Sequence, residues 1–316
     1  MSEFWKGKKV AVLGGLSFIG SHLVEALVAL RAQVKVVDDL STGKREHLKA
    51  LISNGTVPLM EADLRDPDVA FSAVAGRDVV FHLAAAHGGR GYVDRYQADC
   101  AGNLALDGLV LRACVERKVG RVVFASSGCV YPGHLQSDPK ANTLLSEDMV
   151  GPPFDADGMY GWAKLMAEKT LTALVQEGRM KGASARIFVC FGPRMGFSHA
   201  VLAFLARAFT RQNPYEIWGT GDAVRNWTFV SDTVKGLILL AEKVTDGSAV
   251  NLGTTERIQV KDAARMACEI FSHKPEFKFL PHMPTGPLNR VSDNSLAKRL
   301  LGWEPLVSFP AGLLQT

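Results

Sequence analysis

The stretch KVAVLGGLSFIGSHLVEALVAL constrains the fold of this chain more than any other. Residues 9–13 are short, apolar and β-branched, the mark of a buried strand, and from residue 21 to 30 apolar side chains recur at helical spacing. Between them lies the glycine-rich septet 14–20. A strand, a tight glycine turn and a helix in succession aim backbone N–H groups at the positive end of the helix, where they attract phosphate. Asp38 stands 18 positions past Gly20, at the end of a second strand expected at 34–37. This combination marks a dinucleotide site in a βαβ unit. Asp38 is placed to accept hydrogen bonds from ribose hydroxyls and would repel a 2′-phosphate, which favours NAD over NADP. Asp63, at the end of a third strand, is placed to meet the adenine edge.

The alternation continues. Strands are expected at 57–61, 78–83, 122–125 and 184–188, with helices at 98–118 and 160–177. Such an order implies right-handed crossovers and an α/β fold with a doubly wound parallel Rossmann sheet. Ligands of such sheets bind beyond the carboxyl ends of the strands. Past Gly192 proline and glycine become frequent, as in NPYEIWGTGD and LPHMPTGPLN. The expected division is an NAD-binding domain over 1–190, to which 229–244 returns, and a smaller C-terminal substrate-binding lobe over 191–316. At 316 residues and 47% hydrophobic, the chain has ample material for a core. Its net charge of +4 comes without a basic run, which argues against nucleic acid. Five cysteines without paired spacing suggest a reducing compartment, and no CxxC or HExxH motif suggests a metal. No signal-peptide core and no long apolar run is present, so the expectation is a cytoplasmic protein with no membrane partner.

Tyr160 and Lys164 are four residues apart in YGWAK, and residues at that spacing share a helix face. A free phenol ionises near pH 10, so a phenolate at pH 7 costs roughly 4 kcal/mol unless a cation stabilises it. Ser127, 33 positions earlier in ASSGCVYP, offers a hydroxyl to hold a substrate oxygen. The trio can move a proton while a cofactor exchanges hydride. On a solvated helix the same spacing would be inert; the glycine turn and the strand order favour the chemical reading.

These motifs, in this order, resemble the extended short-chain dehydrogenase/reductase family, the NAD-dependent sugar epimerases and dehydratases. LGGLSFIGSHL resembles the family's TGGxGFIGSHL and VVDDLSTG its VxDNLSTG. ADLRD, HLAAA, Asn103, SSGCVY, YGWAK, the FGP of 191–193, Arg225 in RNWTFVSD and SDNSLAKRLLGWEP follow in family order. The resemblance implies that Gly14, Phe18, Ile19 and Gly20 hold the dinucleotide, with Ser17 in the place of the middle glycine. It assigns Asp38 and Asp39 to the ribose, Asp63 and Leu64 to the adenine, and Leu83, Ala84 and Ala85 to the cofactor groove. It makes Ser127 and Tyr160 the catalytic pair, gives Lys164 the nicotinamide ribose as well, and implies a homodimer. Val189 and Cys190 depart from the family's asparagine and valine.

Dehydratases of the family carry an Asp-Glu pair after the active-site serine or threonine, and decarboxylating relatives a glutamate; here Gly128 and Cys129 stand there. Elimination leaves an epimerase. Tyr160 would take a hydroxyl proton while hydride passes to NAD, and a transient ketosugar would receive hydride on its other face. HLAAAHGGRGYV and ASSGCVYP partly resemble the GDP-mannose 3,5-epimerases, which makes Cys129 a candidate for proton exchange at a sugar carbon; the alternative is a small buried apolar residue. His199, where UDP-galactose 4-epimerases place an amide, reads as an acid/base, a substrate hydrogen-bonder or a helix-end surface residue. Gly88, Gly89 and Arg90 read as a loop over the sugar. Arg225 and Arg290 read as forks for the diphosphate of a UDP- or GDP-linked sugar, and His82 and His22 as structural. Two other readings stay open: an NAD(P)-dependent sugar-nucleotide reductase or dehydrogenase, which Asp38 argues against, and a non-catalytic dinucleotide-binding protein, which the intact trio argues against.

Overall fold

The computed structural model describes residues 3–316. Its centre is a seven-stranded sheet in the spatial order seventh, sixth, fifth, fourth, first, second, third. The strands are β1 (Lys9–Leu13), β2 (Gln33–Asp38), β3 (Leu59–Glu61), β4 (Val79–His82), β5 (Arg121–Ser127), β6 (Gly182–Ile187) and a seventh, Asp246–Leu252. Every pairing is parallel. This is the doubly wound α/β fold expected from the sequence.

The apolar runs follow from burial on both faces. In β1, Val10 and Val12 enter one apolar cluster and Ala11 and Leu13 the other, all fully buried. The first crossover helix, α1 (Phe18–Ala29), joins the Val10 side through Leu23, Val24 and Leu27.

Two elements differ from expectation. The helix expected over 98–118 is two helices, Gln97–Ala101 and Asn103–Glu116, broken at Gly102. Glycine weakens helix continuity there, and Asn103 turns inward to clamp the backbone of Ala86, whose N–H it accepts at 2.7 Å and whose carbonyl it donates to at 3.0 Å. The segment that comes back to the sheet also runs further than 229–244. The helix Val230–Lys243 packs on α1, β5 and β6, and the chain continues into the seventh strand beside β6. That strand, DGSAVNL, is half polar and sits at the sheet edge, so it lacks the apolar signature of the others.

The remaining chain forms small sheets. Tyr215–Trp218 pairs with Phe277–Leu280, and Val224–Arg225 lies between Ile258–Gln259 and Asn289–Arg290. The last pairing is parallel and sets Arg225 opposite Arg290. Among the described residues no helix is long and apolar enough to cross a membrane, and all five cysteines are unpaired.

Candidate active site

β1 and β4 are neighbours at the point where the strand order reverses, the place where such sheets open a crevice. The glycine turn fills one side of it. Gly14 has φ +80°, and a Cβ there would stand 2.9 Å from the Ala84 nitrogen, so the turn lies directly on the Leu83–Ala84–Ala85 segment. A Cβ on Gly20 would stand 2.2 Å from the Gly14 carbonyl oxygen. Ser17 adopts an ordinary φ of −70°, so its replacement of glycine strains nothing. Its hydroxyl donates to Gly14 O at 2.6 Å and accepts from Gly20 N at 3.3 Å, capping α1. The first amides of α1, around Phe18 and Ile19, remain to meet phosphate.

Asp38 ends β2 almost buried. Its two oxygens accept from Leu16 N and Leu40 N, each at 2.9 Å, which ties the glycine turn to the next loop. Burial pushes its carboxyl above the usual range, and unused lone pairs are left for a ribose. Asp39 is exposed and accepts from the Ser41 amide and hydroxyl. Asp63 is taken up by Arg65, whose guanidinium holds its carboxyl below the usual range, with Leu64 buried beside it. The close backbone approach, the capped helix and the carboxylate at the second strand end fit a dinucleotide.

Ser127 ends β5, and Tyr160 and Lys164 lie on the helix Gly158–Gln176. Gly161 lets this helix press on the Ser127–Cys129 turn, because a Cβ there would stand 2.3 Å from Cys129 O. Ser127 Oγ accepts from Cys129 N at 3.1 Å and bears on the Tyr160 phenol. Lys164 Nζ lies 5.9 Å from the centre of the Tyr160 ring, 4.5 Å from that of Phe124 and 3.8 Å from Asp107 Oδ2. Burial pushes the phenol's pKa above its ordinary value, Cys129 and Asp107 add to the effect, and Ser127 opposes it. Burial pushes Lys164 below its ordinary value, opposed by Asp107. In the protein alone, burial and its neighbours Cys129 and Asp107 favour the neutral form of the Tyr160 phenol.

Across the crevice stand three arginines from segments outside the central sheet. Arg290 donates to Gln136 Oε1 at 2.7 Å, to Cys129 Sγ at 3.1 Å and to Asp157 Oδ2 at 2.9 Å. Arg90 reaches the same Asp157 oxygen at 2.7 Å and also pairs with Asp94. Burial would raise the Asp157 carboxyl, but Arg290 and Arg90 outweigh it and hold it below the usual range. Arg225 donates to the carbonyls of Val224 and Thr285, both at 2.8 Å. Enclosure, then Arg290 and Arg90, push it down to about 9, still charged at neutral pH. Gly89 rests on Ser198, since a Cβ there would stand 1.8 Å from Ser198 O, and Gly88 is crowded in the same way by Tyr92. The loop 88–90 thus backs directly on the segment that carries His199, which caps the helix Ala200–Phe209.

The structure therefore gathers Ser127, Cys129, Tyr160, Lys164, Arg90, Arg225, Arg290 and His199 around one crevice, with Gly14, Asp38 and Ala84 on the cofactor side. Asp39 and Asp63 follow the ends of β2 and β3. Three residues not singled out from the sequence join them. His87 stacks on the Tyr160 ring at 5.0 Å and 23°, 5.7 Å from the His199 ring. Crowding, then His199 and Lys164, hold its imidazole below the usual range. Asp157 bridges two arginines, and Asp107 backs Lys164. His87 stands between HLAAA and the loop 88–90 assigned to the sugar, which is the one signal that marks it.

A family model described as the NAD dependent epimerase/dehydratase family matches residues 10–253. UDP-glucuronic acid decarboxylase 2 of Arabidopsis thaliana is 33% identical, over 98% of this chain and 67% of that protein. The uncharacterized UDP-glucose epimerase YtcB of Bacillus subtilis is 32% identical, over 96% of this chain and 95% of the relative. The crystal structure of Thermus thermophilus UDP-glucose 4-epimerase in complex with NAD superposes with a TM-score of 0.85 at 26% identity, covering 98% of this chain and 97% of that one.

Proposed function

The chain belongs to the NAD dependent epimerase/dehydratase family, and from that premise we propose that it is an isomerase, a nucleotide-sugar epimerase that uses NAD and passes through a transient ketosugar. The wall beside Ser127 carries this reading. Gly128 and Cys129 follow the serine where an acid would serve elimination or decarboxylation. A Cβ on Gly128 would stand 3.3 Å from the Phe188 ring and 3.5 Å from Arg290 Cδ, so even the first carbon of an acidic side chain there asks Phe188 to give by a few tenths of an ångström. The carboxylate beside this wall, Asp157, is engaged by Arg90 and Arg290. Inversion through a ketone needs no such acid.

Gly14, Ser17, Phe18, Ile19 and Gly20 hold the pyrophosphate of NAD, Asp38 the ribose, and Leu83–Ala85 the groove wall. NAD, when bound, would supply the hydride acceptor and positive charge for the crevice. Tyr160 takes the sugar's hydroxyl proton, Ser127 holds the oxygen as charge develops, and Lys164 stands as the fixed cation. Arg225 and Arg290, side by side in register, face the diphosphate of a UDP- or GDP-linked sugar. Arg225 has the freer fork, because its guanidinium is held by backbone carbonyls and not by a carboxylate.

A second course is favoured by Cys129, whose sulfur receives a hydrogen bond from Arg290, and by His199, which reaches the crevice through His87. In it, a carbon next to the ketone exchanges a proton before hydride returns. Exposed Met159, Trp162 and Met166, with Leu104 on the helix packed alongside, form the face through which two copies of the chain pair.

The test is to denature the purified protein and assay the released nucleotide, then follow UDP- and GDP-sugars by NMR. Stoichiometric NAD and an inverted sugar with no net redox change are expected. Accumulating NADH or free exchange of cofactor would favour the reductase, and no nucleotide at all a non-catalytic scaffold. Solvent deuterium entering the sugar with the native enzyme but not with Cys129→Ala would select the second course.

A further inference from the structure

Behind Tyr160 lies a line of buried titratable groups. Asp107, on the helix Asn103–Glu116, is 1% exposed, and its carboxylate lies between His82 Nε2 at 2.9 Å and Lys164 Nζ at 3.8 Å. No oxygen of Asp107 and no ring nitrogen of His82 makes an aligned hydrogen bond among the described residues. A carboxylate held so in the interior is costly unless its charge is matched.

Lys164 is what it matches. The ammonium is equally buried, faces the Phe124 ring, and meets Asp107 as its one carboxylate within ion-pair distance among the described residues. A lone ammonium in such surroundings sheds its proton. The other titratable groups nearby cannot supply the charge. His87 faces Lys164 from the loop after β4 as a neutral imidazole, and Cys100 and Cys129 bear on Tyr160. Glu168, one turn along the same helix, is committed to Ser126 and Arg186.

We propose that Asp107 is a positioning residue for the reaction: with His82 behind it, it keeps Lys164 an ammonium inside a dry wall, so that Tyr160 always faces a cation. Asp107 also bears on Tyr160 directly and disfavours the phenolate, but Lys164 stands between them in the pairing. Loss of the carboxylate therefore acts mainly by discharging the amine. This inference rests on Tyr160 serving as the acid/base.

The experiment titrates the purified protein, labelled with [ε-13C]lysine, by NMR. The Lys164 signal, identified by its loss in Lys164→Arg, reports the amine's charge without turnover. In the native protein it should be that of an ammonium at pH 7. In Asp107→Asn its proton affinity should fall roughly 10- to 1000-fold, the range expected for losing one opposite charge at this distance, and Asp107→Glu should restore most of it. An unchanged midpoint in Asp107→Asn overturns the proposal. If that variant does not fold, the native signal decides: an ammonium supports the proposal and a neutral amine overturns it. The acid limb of kcat/KM should also move to higher pH in Asp107→Asn. A moved Lys164 midpoint with an unmoved pH profile would count against Tyr160 as the base and leave the hold of Asp107 on Lys164 standing.

Discussion

A phenol as deep as that of Tyr160 resists ionisation, so the acid/base part proposed for it depends on positive charge brought beside it. Removing the hydroxyl tests that part alone. Tyr160→Phe should lower turnover about 10²- to 10⁴-fold, the usual worth of one acid/base group, and retain NAD at native stoichiometry when the nucleotide is released by denaturation. Asp157 gives a second residue-level prediction, in stability against pH. Burial would raise its carboxyl, but Arg290 and Arg90 hold it below the usual range. A depressed folded-state value contributes stability that is complete above the unfolded value, about 3.9, and is lost as pH falls through the folded one. Urea denaturation of the native protein should therefore weaken more steeply below about pH 4 than that of Asp157→Asn. Ser127, Tyr160, Lys164 and Asp38 could be singled out in the sequence because residue type and short-range spacing suggest a chemistry for them. Asp157 could not, since its partner Arg290 lies 133 positions away, and nothing near Asp107 in the chain announces Lys164.

At the scale of elements, the helix Gly158–Gln176, which carries Tyr160 and Lys164, is anchored from behind. Glu168 accepts from the Ser126 hydroxyl and takes three bonds from the Arg186 guanidinium, so β5, β6 and the helix meet at one buried ion pair. Breaking such a pair leaves a buried charge alone, and Arg186→Met should cost roughly 3–5 kcal/mol of unfolding free energy by urea titration. The glycine turn is closed more tightly still. Gly20→Ala forces a methyl onto the Gly14 carbonyl, and the variant should lose NAD while keeping the far-ultraviolet circular dichroism of the native fold. The elements that the sequence disclosed were those buried on both faces, where an apolar run has one meaning. The break at Gly102 and the half-polar edge strand Asp246–Leu252 were hidden, because their conformation depends on contacts with distant segments.

For the whole molecule, the paired helices present Trp162 and Met166 on one face, 37% and 48% exposed. If two copies meet there, a charge at the centre should separate them, and Met166→Glu should sediment as a monomer where the native protein sediments as a dimer. Its fold should survive, as the site is on the surface. The strand Asp246–Leu252 also bears on how the chain is made. It pairs with Gly182–Ile187, so a polypeptide emerging from the ribosome displays the bare flank of that earlier strand until its partner is synthesised. An open flank is a template for stray pairing, and chains released early from translation should clump or be cleared by proteases while finished ones do not.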